Sequence, residues 1–206
     1  MRGKGLELHA SAKRHPGFSL TELVVALAVA MILMAVGLPA FLRSYRSYQL
    51  TNAAHQVVDY LRLARYEAIR LNKPVALLIQ PSSAHPGMTI LWVDSNGNGV
   101  QDPTEIATVL GASGNLVPSG SVPGTSTLIS DAVVGSFATT APPPTGAAVN
   151  FDARGAVMPA TPTSVNMFYL ASTDSPDAGY RAVLLLPAGS IQLWTGNGTG
   201  QWQQLQ

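Results

Sequence analysis

"GFSLTELVVALAVAMILMAVGLPAF" runs from Gly17 to Phe41 and decides how the chain begins. From Leu23 to Leu38 it carries no charge. Read as helix, Phe18 to Phe41 is roughly 36 Å long, enough to cross a bilayer core of about 30 Å. Arg2, Lys4, Lys13 and Arg14 precede it, so the N-terminus is expected on the cytoplasmic side and everything after Arg43 across the membrane. Glu22 is out of place in such a segment. A carboxylate at mid-membrane costs about 2.5–3.5 kcal/mol, and residues that costly are ordinarily functional. A cleaved secretory signal would have a shorter apolar core and a small-x-small site beyond it, which "VGLPAFLRS" matches weakly. A plain signal anchor has no use for the carboxylate.

The formal charge of +1 hides an uneven distribution. Arg43, Arg46, Arg62, Arg65, Arg70 and Lys73 outnumber Asp59 and Glu67 in the stretch after the apolar segment. From Pro74 onward, Arg154 and Arg181 face Asp94, Asp102, Glu105, Asp131, Asp152, Asp174 and Asp177. That acidic balance is a poor electrostatic match to nucleic acid. The absence of cysteine excludes a disulfide framework and thiolate chemistry.

Past the apolar segment, Leu50, Ala54, Val57, Leu61, Ala64, Ala68 and Leu71 recur at alternating spacings of four and three, one stripe along a helix. Pro74 in "LNKP" ends it, and Gly37 with Pro39 should weaken or kink it near the membrane exit. Beyond Pro74, "VALLIQ", "MTILWV", "EIATVL", "AAVNF", "VNMFYLAS", "YRAVLLL" and "SIQLW" are short apolar runs separated by Gly, Pro, Asn and Ser, which predicts strands. The expected fold class is α+β, a long N-terminal helix packed on an antiparallel β head. The divisions are 1–17 as a leader, 18–41 as a membrane helix, 42–73 as its amphipathic continuation and 74–206 as the head. The Ser/Thr/Gly/Pro-rich region 111–146 reads mostly as a surface loop inserted in the head, with a strand around Ser126 to Phe137.

"DSNGNGVQDPTE" places Asp94, Asn96, Asn98, Val100, Asp102 and Glu105 at positions 1, 3, 5, 7, 9 and 12 of a calcium-loop spacing, with Gly99 at position 6. The flanks read as strands rather than paired helices, and asparagine at two ligand positions lowers the charge available. A β-hairpin tip built on Asn-Gly turns is therefore expected, with weak calcium binding as the alternative. Little supports catalysis. His55 falls on a polar helix face and His85 in a turn, and no HExxH, GxSxG or Cys/His cluster occurs. "GNGTGQW" lacks the lysine of a phosphate loop, and Trp92, Trp194 and Trp202 read as core or rim aromatics.

The order of basic leader, Gly17, Phe18 and then Glu22, with Pro39 further on, resembles the class III signal of type IV pilins and pseudopilins almost position for position. His15-Pro16 stands where a basic residue commonly precedes the glycine. Within that group, "LRLARYEAIRLNKPVALLI", "WVDSNGNGVQDPTEI", "FDARGAV" and "YRAVLLLPAGSIQLW" resemble the GspH/FimT minor pseudopilins over nearly the whole chain apart from 111–146. The resemblance implies cleavage after Gly17 by a prepilin peptidase and N-methylation of Phe18. It also implies assembly through Glu22, whose carboxylate neutralises the Phe18 amine of a neighbouring subunit; neither charge is tolerated alone among packed helices. It further implies a non-enzymatic subunit of a type II secretion pseudopilus, made in the bacterial inner membrane as a single-pass protein with a periplasmic head. Its partners would be other pseudopilins or pilins and an inner-membrane assembly platform. The alternative is a FimT- or FimU-like minor pilin serving pilus priming, adhesion or DNA uptake.

Overall fold

The computed structural model describes residues 19–111, 113–132, 138–140, 146–158 and 164–205. Helix α1 spans Leu20–Leu71, and its assignment passes through Pro39 without a break. Proline removes one helical hydrogen bond while the rest of the ladder continues. The chain divides into two compact units, Met1–Phe41 and Leu42–Gln206.

In the first unit the side chains from Leu20 to Phe41 lie almost entirely in the open, with Leu20 at 80% and Val36 at 75% exposure. The segment is long and apolar enough to cross a membrane, and none of its most apolar window is buried within the protein.

In the second unit α1 supplies one wall of the core. Leu50, Ala54, Val57, Leu61, Ala64 and Ala68 are each fully buried, joined by Ala53 and Val58, while Leu71 packs at the edge of the same cluster. Alanines on this stripe let the backbone come close to its neighbours. A Cβ on Gly114 would lie only 2.5 Å from that of Ala53, so only glycine fits at that crossing. Asn72 ends the helix in the left-handed region (φ 50°), a role asparagine tolerates, and the Lys73 N–H caps the Ala68 carbonyl at 3.3 Å.

Two sheets complete the head. The first has the order β3-β2-β1-β6-β7, from β1 Val75–Pro81, β2 Thr89–Asp94, β3 Ala107–Leu110, β6 Ala147–Phe151 and β7 Val157–Met158. The second runs β11-β10-β9-β8-β4, from β4 Asn115–Val117, β8 Ser164–Ala171, β9 Tyr180–Leu185, β10 Ile191–Gly196 and β11 Trp202–Gln204. These strands all pair antiparallel, and β5 (Ala138–Thr140) joins β8 in parallel. All seven stretches expected to be strands form them. The fold is α+β, a long N-terminal helix with an antiparallel β region in two sheets.

Strand alternation divides the second sheet between two cores. Phe168, Leu170, Val183, Leu185 and Leu193 face α1 and the first sheet. Met167, Tyr169, Ala182, Leu184, Trp194 and Trp202 build a second cluster on the opposite face. That face is covered by α2 (Thr125–Asp131) through Leu128, with Val122 and Ala132. The expected strand around Ser126 to Phe137 is thus corrected for its first part, which is helical; residues 133–137 lie outside the described residues. An isolated Leu-Ile pair does not distinguish the two periods, and the sheet below favours a short helical lid. Nor is 111–146 simply an inserted loop. It contributes β4, which pairs with β8, and the lid over the second core.

Candidate functional site

Helix start chemistry places Glu22. Ser19 stands just before α1, and its Oγ accepts the Glu22 N–H at 3.2 Å, while the Ser19 carbonyl receives the Leu23 N–H at 3.1 Å. This is N-cap geometry, with glutamate at the third helical position. The Ser-x-x-Glu spacing in "FSLTEL" carried that signal, and sequence reasoning missed it. Glu22 is exposed in the first turn, where the dipole favours an anion. Gly17 and Phe18 lie outside the described residues.

The loop from Asp94 to Glu105 joins β2 to β3 and closes on itself. Asp94 accepts the Gly97 N–H at 2.6 Å on one oxygen and the Gly99 N–H at 2.9 Å on the other. Glu105 accepts the Ser95 N–H at 3.0 Å and the Asp102 N–H at 3.1 Å. The side-chain amides of Asn96 and Asn98 both donate to one Asp102 oxygen, at 2.6 and 3.0 Å. Gly97 and Gly99 hold φ values of 83° and 70°, which asparagine-glycine turns supply at no steric cost. Among the described residues no group of three or more His, Cys, Asp or Glu side chains is placed to hold a metal ion. The six proposed ligands share one loop, whose carboxylates also accept the loop's own donors. β2 and β3 pair as a hairpin on either side of it.

The Ser82 Oγ accepts the His85 N–H at 3.1 Å, and His55 lies half-buried on α1. Trp92, Trp194 and Trp202 are all buried. The glycine-rich stretch "GNGTGQW" is explained by packing. Gly200 meets Gly124 backbone to backbone, so that no side chain fits at either position, and this contact sets the start of α2 against the β10–β11 turn. Trp202 lies over Gly196 and meets Tyr169 edge-on, ring centroids 6.3 Å apart. Burial pushes the Tyr169 phenol up to about 12.

Two arginines that the sequence reading left unassigned tie α1 to the sheets. Arg65 donates from Nη1 to the Gly189 carbonyl at 2.8 Å, and its side chain lies between the Gly155 and Gly189 turns. Arg181, on β9, is 5% exposed. It donates from Nε to Thr51 Oγ1 at 3.0 Å, from Nη1 to the Tyr180 carbonyl at 2.9 Å and from Nη2 to Ser47 Oγ at 2.8 Å.

Residues 53–189 match the family model described as Type II transport protein GspH, more than half of the chain. Residues 12–38 match the prokaryotic N-terminal methylation motif. No curated protein and no solved structure matches the chain.

Proposed function

The chain belongs to the family of type II transport protein GspH, and from that premise we propose that it is a minor pseudopilin of a type II protein secretion system. The observation that carries the reading is the union of two matched parts on one helix. A methylation motif covers 12–38, a GspH head follows from residue 53, and the apolar segment of α1 is left almost wholly exposed. Such a surface needs lipid or other helices around it. Membrane anchoring through α1, with the head beyond it, follows from the prepilin-type motif and this segment.

In this reading the chain is inserted in the bacterial inner membrane with its head in the periplasm. It is cut after Gly17, methylated on Phe18, and drawn into a short filament with other pilin-like subunits by an inner-membrane platform. Glu22 neutralises the Phe18 amine of the neighbour, which rewards assembly over isolation in lipid. The role is structural rather than enzymatic. Against the minor-pilin alternative, two cations face seven anions after Pro74 and none follows Arg181, which disfavours capture of DNA.

In-cell crosslinking of the full-length protein in its native host, with partners identified by mass spectrometry, tests the reading. Other pseudopilins and a secretion platform protein are expected. Pilus subunits with a retraction machinery would make it a minor pilin instead.

A further inference from the structure

Among the described residues, Arg181 is a buried cation with no ion-pair partner. Its four hydrogen-bond partners are the Ser47 carbonyl and hydroxyl, the Thr51 hydroxyl and the Tyr180 carbonyl, all neutral. Among the described residues the ion pairs are Asp59 with Arg62 and Glu67 with Arg70. Neutral acceptors satisfy donors but leave the net charge uncompensated, and a charge withdrawn from water without an opposite charge is costly. A guanidinium has five N–H groups, and among the described residues these contacts leave one on Nη1 without an acceptor. That atom lies on the side of Gly179, 3.9 Å from where a Cβ there would stand.

The same side opens into a cleft of about 320 Å³, lined among others by Ser47, Asp177, Gly179, Arg181, Thr195 and Asn197. Thr195 sits directly across the ladder from Arg181. Asp177 lines the cleft without forming an ion pair with Arg181. Charge, free donor and open space coincide at one place on the helix-facing side of the second sheet.

We propose that this cleft receives a carboxylate from a neighbouring pilin-like subunit, with Arg181 as its counter-ion and Thr195 and Asn197 on its walls. The inference rests on the filament reading above. Charge complementarity selects the occupant. Among the described residues the guanidinium forms no ion pair, even with Asp177 in the same cleft, and an acidic side chain of a packed neighbour supplies a direct counter-charge, adding a second electrostatic reward for assembly.

The test uses the full chain, in detergent micelles and in the native host. Thr195→Asp places a carboxylate of the chain's own beside Arg181, and Thr195→Asn is the uncharged control. In micelles, sodium acetate should raise the melting temperature of the unaltered chain above that in sodium chloride of equal ionic strength. Thr195→Asp should abolish the difference, and Thr195→Asn and Asp177→Asn should preserve it. In cells, Thr195→Asp should lower crosslinking to filament neighbours at least tenfold while the protein remains folded. An acetate effect with normal crosslinking of Thr195→Asp would overturn the subunit as source and leave a site for a free small carboxylate. No acetate effect with normal crosslinking would overturn the site itself. If the unaltered chain meets no pilin-like neighbour at all, the filament reading fails, and the source of the carboxylate with it, while the acetate comparison still decides the cleft.

Discussion

Arg65 on α1 and Gly189, 124 residues away, are joined by a 2.8 Å hydrogen bond from guanidinium to carbonyl. The bond closes a three-part contact. Gly155 and Gly189 both hold left-handed backbones, with φ of 79° and 81°, and the Arg65 side chain fills the space that side chains there would take. A Cβ on either glycine would come within 2.9 Å of Arg65 Nε. The two turns of the "FDARGAV" and "LPAGSI" stretches are therefore pinned to the helix by one residue.

The two glycines should not respond equally to alanine. Both substitutions strain the backbone, at about 1–3 kcal/mol. At Gly155 the atoms nearest the new methyl belong to side chains, those of Ile69 and Arg65, whereas at Gly189 the nearest is the Gly155 carbonyl at 2.6 Å. Gly189→Ala should thus be the more destabilising in thermal melts of the full chain. Arg65→Ala should rescue part of the Gly155→Ala loss and little of the Gly189→Ala loss, a non-additivity that a double-mutant cycle reads directly.

At the Asp94–Glu105 loop, the internal hydrogen bonds predict a conformation that needs no cation. Asp94 is 4% exposed and holds two backbone donors, so Asp94→Ala should cost about 1.5–3 kcal/mol, the range for hydrogen bonds to a charged group. Calcium titrated into the unaltered protein should leave its melting temperature unchanged. A rise of several degrees, lost in Asp94→Ala, would instead establish the calcium site that the spacing of Asp94, Asn96, Asn98, Val100, Asp102 and Glu105 suggests.

The parts of the fold legible in sequence are those where one period or one unbroken apolar run dominates. Leu50 to Ala68 repeats at helical spacing because a single face is buried, and "VALLIQ" reads as a strand because it is a short, continuous apolar run bounded by Pro74 and Pro81, of which β1 buries Val75, Leu77 and Ile79. What escaped reading has no period of its own. Leu128 is the one fully buried residue of α2, with Ile129 packed beside it, and β4, β7 and β11 are two or three residues long. β4 is paired by β8, far along the chain, while β7 and β11 fold back on β6 and β10 over tight connections; none is long enough to show an alternation of its own. Arg65 and Arg181 were illegible for a related reason: a lone arginine looks the same in sequence whether it faces water or is stapled beneath a turn. The head's glycines were read as loop punctuation, yet Gly114, Gly124 and Gly200 are close-approach positions. Only the partner elements reveal that.

Asp152 gives the head a pH dependence of known sign. Its carboxyl is held below the ordinary value, first by the Ala156 N–H, with the Arg154 N–H adding to the effect; both donate to Oδ1 at 2.8 Å. A depressed folded pKa means stability that is present above the unfolded value of about 3.8 and lost as pH falls through the folded one. Asp152→Asn keeps an acceptor and removes the charge. It should melt below the unaltered chain at neutral pH, and the two melting curves should converge as pH is taken well below 3.8. A gap that stayed constant with pH would mean that shape rather than charge matters at this turn.

Glu22 has two available roles, and one substitution separates them. As the third helical residue after the Ser19 cap, it belongs to a pattern in which glutamine serves as well as glutamate. As the counter-charge to a neighbour's Phe18 amine, it must be ionised. Glu22→Gln therefore keeps the helix start and removes the charge, while Ser19→Ala weakens the cap, by about 1 kcal/mol, and keeps the charge. Under the proposed function, Glu22→Gln should enter the membrane normally and be lost from the filament, read as crosslinks to neighbouring subunits, whereas Ser19→Ala should assemble. The reverse pattern would reduce Glu22 to a helix-start residue and remove electrostatic pairing from the assembly mechanism.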